Sequence, residues 1–79
     1  MYCVYSIQSQ IDPKRYYIGI TTDVTRRLEE HNAGKSVYTI KYKPWKLVTY
    51  VAFGDRFKAK EFETYLKTGS GRAFCKRHF

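Results

Sequence analysis

Two largely apolar runs on either side of a polar segment predict a β-hairpin at the start of the chain. Residues 2–8 and 16–21 are rich in β-branched and aromatic side chains, and a polar segment containing Asp12, Pro13 and Lys14 separates them. Apolar groups fall on both faces of these strands, whereas a sheet covered on one side only would alternate more cleanly. We therefore expect helices against both faces of the sheet.

Strand geometry also assigns the hairpin side chains to faces, because successive residues of a strand point to opposite sides. One face of the first strand carries Cys3, Tyr5 and Ile7. On the second strand, Tyr17, Gly19 and Thr21 share one face, and Tyr16, Ile18 and Ile20 share the other.

End signals and spacing predict a first helix from about residue 23 to residue 33. Thr22 and Asp23 supply a cap, and apolar residues recur at helical spacing from Val24 onward. Gly34 stands where a helix usually ends.

The register of this helix separates a candidate functional face from an ordinary surface face. Arg27 and His31 lie one turn apart on one face, and Arg26 and Glu30 form a surface pair on another. The stretch 35–43 that follows has no clear period and is rich in lysine and tyrosine. We expect it to form an exposed basic, aromatic loop.

The second half of the chain predicts a strand and two helices. Residues 45–53 are the most strand-like segment of the sequence. Helical spacing covers residues 57–67, with Gly69 as the expected stop. Residues 70–79 are expected to form a short basic helix capped by Ser70.

These elements predict an α+β fold in the order β-β-α-β-α-α, with a three-stranded antiparallel β-sheet flanked by helices. The 79 residues are about half the length usually allotted to one domain. We therefore expect residues 1–79 to form a single domain.

Charge narrows the choice of partner. The chain has 15 Lys and Arg against 7 Asp and Glu, a net charge of +8, which favours a polyanion such as nucleic acid. No apolar run approaches the roughly 20 residues that span a bilayer, and the first residues lack the basic region of a secretory signal. We expect a cytoplasmic protein with no membrane partner.

The two cysteines, Cys3 and Cys75, are expected to be free thiols, because they do not make the dense framework of a small secreted domain. A zinc site that combines them with His31 and His78 has the right ligand types. It lacks the short paired spacing that zinc sites show, so it is disfavoured.

Five side chains could together hydrolyse a phosphodiester. The reaction needs a group that accepts the proton of water, a cation against the developing charge, and commonly a divalent metal on the leaving oxygen. Tyr5 and Tyr17 lie on neighbouring strands, Arg27 and His31 on the first helix, and Glu63 in the middle of the second. The chain can supply one group of each kind.

The spacing of these residues follows a known pattern. Val4-Tyr5 is followed by Tyr17-Ile18-Gly19, by Arg27 eight residues after that glycine, and by Glu63 ahead of Leu66-Lys67. This order resembles the GIY-YIG nuclease superfamily, and more narrowly its small stand-alone members, the UPF0213 or YhbQ-like group. The likeness covers nearly the whole chain. Cys3 departs from the family name, since it stands where that name has glycine.

The resemblance implies a role for each residue. In the family, the tyrosine matching Tyr5 is the general base or positions the water, and the one matching Tyr17 lines the same pocket. Arg27 matches the family's arginine, Glu63 its metal-binding glutamate, and His31 a polar position that faces the site. One divalent ion, Mg²⁺ or Mn²⁺, is then expected on Glu63, and it would keep several waters because it has a single carboxylate ligand.

Tyr5 poses one chemical difficulty. A tyrosine with a pKa of about 10 is a poor base near neutral pH, so Tyr5 needs help from a metal-bound water or a nearby positive charge. His31 or the metal could share the role of base.

Purely structural roles compete with these assignments. Half-buried strands favour tyrosine, and an arginine on a helix commonly lies on the surface. A single histidine on a helix is more often a surface or packing residue than a catalyst. Glu63 could simply pair with Lys60 or Lys67 on an exposed helix face, and such pairs contribute little. The family pattern favours site roles, and we assign the rival carboxylate, Glu61, to solvent.

A basic surface is expected to contact the nucleic-acid backbone. It comprises Lys35, Lys41, Lys43, Lys46, Arg72 and Lys76. Tyr38 and Tyr42 lie between these lysines and could stack on bases. We expect Trp45 to pack inward and Phe74 to anchor the last helix to the core.

The expected function is metal-dependent endonuclease activity on DNA, with single-stranded and branched forms both open as substrates. Protein partners for targeting and the oligomeric state are also left open. The alternative is a nucleic-acid-binding module of the same fold that does not cleave, because a chain of 79 residues has few contacts with which to hold a substrate. A lipid-binding domain is a third alternative, which no strongly amphipathic helix supports.

Overall fold

The computed structural model describes residues 1–71 and Phe74. Three strands form one antiparallel sheet: β1 (Tyr2–Ser9), β2 (Tyr16–Thr21) and β3 (Trp45–Phe53). Their spatial order is β2-β1-β3, so β1 is central and the other two are edge strands. The predicted bounds of β2 and β3 are confirmed, and β1 extends one residue further than predicted.

Two helices, α1 (Val24–Asn32) and α2 (Arg56–Leu66), pack on the sheet. Asp23 and Asp55 cap them, each carboxylate accepting a backbone N–H of the first turn, at 3.1 and 2.8 Å respectively. Gly34 follows α1 with a φ of +78°, a conformation that favours glycine, and so ends the helix as predicted.

Each face of the sheet carries its own hydrophobic core, which confirms that helices cover both faces. On one face, Val4 of β1 packs against Ala59 and Leu66 of α2. Tyr5 and Ile7 point to the opposite face, where α1 and the segment before β3 cover them.

β3 is the most exposed of the strands, although its sequence is the most apolar. Leu47 and Val51 are each 37% exposed, Val48 41% and Tyr50 50%. The long apolar run of β3 therefore belongs to an edge strand that is covered only in part.

The end of α2 differs from the prediction. The helix ends at Leu66, and Gly69 belongs to a further helical segment over residues 69–71, so Gly69 is not the stop. Thr68 Oγ1 accepts the backbone N–H of Gly71 at 3.1 Å, which makes Thr68, rather than Ser70, the capping side chain.

Phe74 is helical and packs against the core of α2 as predicted, its ring 6.1 Å from that of Phe62. The predictions made for four other residues near the C-terminus lie outside the described residues, namely Arg72, Cys75, Lys76 and His78.

Candidate active site

Tyr5 and Tyr17 lie side by side on the face that α1 covers. Tyr5 pairs with Gly19 across β1 and β2, and Ile7 pairs with Tyr17, which confirms the predicted face assignment. The Tyr5 and Tyr17 ring centres are 6.4 Å apart. The Tyr5 ring lies across Gly19 so closely that a Cβ there would be 2.5 Å from the phenol oxygen.

His31 reaches this pair of tyrosines from α1. Its Nε2 lies 2.8 Å from the Tyr5 hydroxyl oxygen, within hydrogen-bonding distance. Its ring also meets the Tyr17 ring edge-on, with centres 5.2 Å apart. His31 is fully buried, so the surface role considered for a lone helical histidine is wrong.

The other ring nitrogen of His31 contacts a residue that we did not predict. Its Nδ1 lies 2.6 Å from Thr39 Oγ1, and Thr39 is fully buried. The expectation of an exposed loop over residues 35–43 is therefore wrong in part, because Ser36 and Thr39 point inward ahead of a short 3₁₀ helix, Ile40–Tyr42.

Trp45 and Asn32 fix the base of this loop. The Trp45 indole N–H donates to the Thr39 carbonyl at 2.9 Å, which confirms that Trp45 packs inward. The Asn32 side chain accepts the Trp45 backbone N–H and donates to its carbonyl, at 2.5 and 3.0 Å. Asn32 thus ties the end of α1 to the start of β3.

Arg27 lies at the rim of the site with a third of its side chain exposed. Its Nη1 donates to Glu30 at 3.0 Å, and Arg26 approaches the same carboxylate at 3.7 Å. The predicted Arg26–Glu30 surface pair is thus a three-residue cluster in which Glu30 holds the guanidinium of Arg27. The cluster leaves Arg27 close enough to Tyr5 for its charge to oppose the rise in the pKa of that phenol.

Glu63 is buried, 6% exposed, although it pairs with both of its helical neighbours. Lys60 Nζ lies 2.8 Å and Lys67 Nζ 3.4 Å from its two oxygens. Lys67 also places its ammonium 5.9 Å from the centre of the Tyr17 ring. The carboxylate therefore lies beside the tyrosines, not on an exposed helix face, whereas Glu61 is exposed as predicted.

Burial decides the protonation of Tyr5. Burial raises the pKa of the Tyr5 phenol to about 12, and the neighbouring Glu63 carboxylate adds to the rise. The positive charge of Arg27 opposes the shift but does not overcome it. Tyr5 is therefore a protonated phenol at neutral pH, so Arg27 does not by itself remove the difficulty of using Tyr5 as a base.

The pKa values of His31 and Glu63 are lowered, in contrast to that of Tyr5. Burial and the Arg27 charge lower the pKa of His31, so its ring is neutral at neutral pH. Burial pushes the pKa of Glu63 upward, but Lys60 and Lys67 together outweigh it and hold the pKa below its ordinary value. The site thus combines a neutral imidazole with an ionised carboxylate.

Glu63 is the acidic side chain of the described residues that faces the site as a potential metal ligand. Within residues 1–71 and 74, no group of three or more His, Cys, Asp or Glu is placed to hold a metal ion. Cys3 is buried and free, as predicted, and Cys75 lies outside this range. A metal in this site would depend on one carboxylate together with water and substrate oxygens.

The predicted basic surface is exposed along its described part, which comprises Lys35, Lys41, Lys43 and Lys46. Tyr38 is 78% exposed and can stack on a base. Tyr42 cannot offer both faces, since the Arg15 guanidinium lies 4.7 Å from its ring centre. None of the helices in the described part of the chain has the length and apolar character needed to cross a bilayer.

Comparison with known proteins identifies the family of the chain. The family model described as the GIY-YIG catalytic domain matches residues 1–76. A UPF0213 protein of Cupriavidus pinatubonensis is 43% identical over 63 residues, which cover 75% of this chain and 70% of that protein. The solution NMR structure of the UPF0213 protein BH0048 from Bacillus halodurans has a TM-score of 0.56 and 30% identity, covering 95% of this chain and 82% of that one.

A third relative is much longer. The structure-specific endonuclease subunit SLX1 homolog of Giardia intestinalis is 39% identical over 66 residues, which cover 78% of this chain and 18% of that protein. The chain thus spans less than a fifth of this relative, whereas it spans most of the UPF0213 proteins. The chain belongs to the GIY-YIG catalytic domain family and, within it, to the small UPF0213 group.

Proposed function

We propose that this protein is a metal-dependent endonuclease that hydrolyses phosphodiester bonds in DNA. The observation that carries the proposal is the convergence of Tyr17, His31, Arg27 and Glu63 around Tyr5, with Tyr5 hydrogen-bonded to His31 at 2.8 Å. Membership of the GIY-YIG catalytic domain family supports it.

Proton transfer would run through Tyr5 to His31. A phenol with a pKa of about 12 does not accept a proton from water unless it gives up its own. The neutral imidazole of His31 offers a lone pair 2.8 Å away. The Tyr5 oxygen would therefore take the proton of the attacking water as its own proton passes to His31 Nε2, which leaves a neutral phenol and an imidazolium.

Arg27 is suited to the phosphate of the scissile bond. Its guanidinium is permanently charged and planar, and one edge can bind two phosphate oxygens while Glu30 holds the other. Placed beside Tyr5, it would stabilise the negative charge that develops on the phosphoryl oxygens.

The residues present fit a hard divalent cation with one protein ligand. The Glu63 carboxylate is ionised, and its 3.4 Å contact with Lys67 is longer than the about 2.7–2.9 Å of a strong charge-assisted hydrogen bond. That oxygen can exchange the ammonium for Mg²⁺ or Mn²⁺, which would take water and phosphate oxygens as further ligands. A bound cation would neutralise charge on the leaving oxygen.

The substrate is proposed from the relatives and the charge. The matched Giardia protein is named as a subunit of a structure-specific endonuclease, which favours branched or partly single-stranded DNA here. The exposed lysines can neutralise phosphates on either side of the cut. A chain this small offers few further contacts, so we propose that a protein partner contributes to targeting.

Cleavage of labelled DNA, with and without divalent metal, tests this proposal. The substrates are single-stranded, duplex, flap and branched oligonucleotides. We expect Mg²⁺- or Mn²⁺-dependent cleavage by the wild type and none by Glu63→Gln, which keeps the shape of the side chain. Glu61→Gln, on the exposed side of the same helix, is the control and should cleave normally. Equal cleavage by wild type and Glu63→Gln would refute the role of Glu63.

The alternative is a nucleic-acid-binding module that does not cleave. The pairing of both Glu63 oxygens with lysines favours it, because each ammonium competes with a metal. Salt-dependent retention of every DNA form, with no cleavage in any metal, would establish this alternative and overturn the nuclease proposal.

A further inference from the structure

Thr39 carries a fully buried hydroxyl although the residues on either side of it face solvent. Its neighbours Tyr38 and Ile40 are 78% and 47% exposed, whereas Thr39 is 0% exposed. Within the described residues its hydroxyl has one partner, His31 Nδ1, at 2.6 Å. A buried threonine that reaches one nitrogen of the site histidine requires a physical explanation.

Thr39 and Tyr5 approach opposite nitrogens of the same ring. Thr39 Oγ1 lies 2.6 Å from Nδ1, and the Tyr5 hydroxyl oxygen lies 2.8 Å from Nε2. A neutral imidazole has one N–H donor and one lone pair, so just one of the two hydroxyls can donate to it. The other hydroxyl must accept.

The phenol of Tyr5 is the stronger hydrogen-bond donor to the lone pair of His31. A phenol is a far stronger acid than an aliphatic alcohol, and it stays so although burial raises the pKa of Tyr5 to about 12, a rise that the neighbouring Arg27 charge limits. Arg27 itself offers no acceptor, so His31 Nε2 is the acceptor that the site provides for the Tyr5 proton. Thr39 is then left with the Nδ1–H, which its oxygen accepts.

We propose that Thr39 is a positioning residue: its hydroxyl accepts the Nδ1–H of His31 and thereby holds the ring in the tautomer whose Nε2 is free to receive the proton of Tyr5. The catalytic consequence rests on the proposed nuclease function, whereas the tautomer itself does not. Thr39 touches neither water nor phosphate in this scheme and acts through His31.

The surrounding backbone holds Thr39 in place for this role. Its carbonyl accepts the Trp45 indole N–H at 2.9 Å and the Tyr42 backbone N–H at 3.2 Å, and its own N–H donates to Ser36 at 3.2 Å. The position of the Thr39 hydroxyl is therefore set by the fold of the loop. Through Thr39 Oγ1, the segment 36–45 orients the His31 ring.

The tautomer can be read directly by NMR. The ¹⁵N shifts and ring couplings of His31 distinguish Nδ1–H from Nε2–H, and a His78→Gln variant assigns the signals, since the chain has two histidines. We expect Nδ1–H in the wild type at neutral pH. Thr39→Val, which keeps the shape but removes the acceptor, should shift the ring toward Nε2–H, and Thr39→Ser should retain Nδ1–H. Nε2–H in the wild type, or an unchanged tautomer in Thr39→Val, overturns the proposal.

Cleavage kinetics provide a second readout. Loss of a group that orients a metal-binding histidine typically costs about 10–100-fold, and we expect a similar loss for the histidine of this site. We expect Thr39→Val to lower single-turnover cleavage by about that factor at unchanged KM, and Thr39→Ser to restore it. Wild-type rates in Thr39→Val refute the positioning role. An inactive wild type with Nδ1–H in place refutes the nuclease function and not the role of Thr39.

Discussion

Replacing Gly19 with alanine tests whether Tyr5 is held against β2 as the structure shows. A Cβ at this position would lie 2.5 Å from the Tyr5 hydroxyl oxygen, 2.6 Å from Cζ and 2.9 Å from Cε1. Carbon atoms pack at about 3.5 Å, so the ring would have to move by about 1 Å. Tyr5 is buried, 2% exposed, and its oxygen lies 2.8 Å from His31, so the movement would lengthen that hydrogen bond beyond its normal range.

The sign of the effect on stability separates this clash from an ordinary glycine substitution. Gly→Ala at a compatible position stabilises a protein by about 0.4–1 kcal/mol, because the unfolded chain loses freedom. Overpacking costs about 1–3 kcal/mol, and the broken buried hydrogen bond about 1–3 kcal/mol more. We expect Gly19→Ala to lower the free energy of unfolding by at least about 2 kcal/mol, or Tm by roughly 10 °C or more. A displacement of 1 Å also predicts about 10²-fold slower cleavage.

Urea denaturation with a matched control provides the assay. A Cβ at Gly54 would meet no atom within 4 Å, so Gly54→Ala should be neutral or stabilising. Tyr5→Leu lacks the three clashing atoms, so Gly19→Ala should cost little in that background, and the double-mutant cycle then isolates the contact. If Gly19→Ala stabilised the wild type, or cost as much beside Tyr5→Leu, the described packing of Tyr5 would be wrong.

Three further predictions concern stability, pH and binding. Asp23→Ala should destabilise the protein by about 1 kcal/mol in a urea titration, because α1 loses its cap. Burial and the Arg27 charge lower the pKa of His31, so below a pH of about 6.5 His31 binds more protons in the unfolded chain than in the folded one. The free energy of unfolding, measured in urea, should therefore fall as the pH is lowered through this range. The fall should be smaller in His31→Gln. The four exposed lysines of the basic surface are Lys35, Lys41, Lys43 and Lys46. Replacing them with glutamine should weaken duplex binding, measured by fluorescence anisotropy, and reduce the slope of log K against log salt by about 0.9 for each phosphate that is no longer neutralised. Lys14→Gln should leave both quantities unchanged.

The elements of the fold follow from local pattern. The β-rich runs and the caps Asp23 and Gly34 depend on near neighbours in the sequence, so the strand and helix bounds could be predicted within a residue or two. The cap of the next helical segment could not, because Thr68 and Ser70 are both favoured capping residues and the local sequence does not choose between them. The exposure of β3 likewise depends on its edge position, which its own apolar sequence does not encode.

The candidate site shows the same division. Tyr5, Tyr17, Arg27, His31 and Glu63 were predictable because their order along the chain resembles a family pattern. Thr39 was not, because a threonine in a polar loop carries no local signal, and its importance arises from a contact with a residue eight positions earlier on α1. One sequence feature pointed to an ordered segment before β3: Trp45 was expected to be buried, and a buried indole N–H must find an acceptor.

Paramagnetic broadening by Mn²⁺ tests most directly whether the five side chains surround one metal-binding point. Amide and side-chain resonances are recorded with short single-stranded DNA and substoichiometric Mn²⁺, before cleavage is detectable on a gel. We expect broadening centred on Glu63 and Tyr17, extending to Tyr5, His31 and Arg27, and absent in Glu63→Gln. Broadening that is centred elsewhere, or that persists unchanged in Glu63→Gln, would contradict the proposed metal-dependent site.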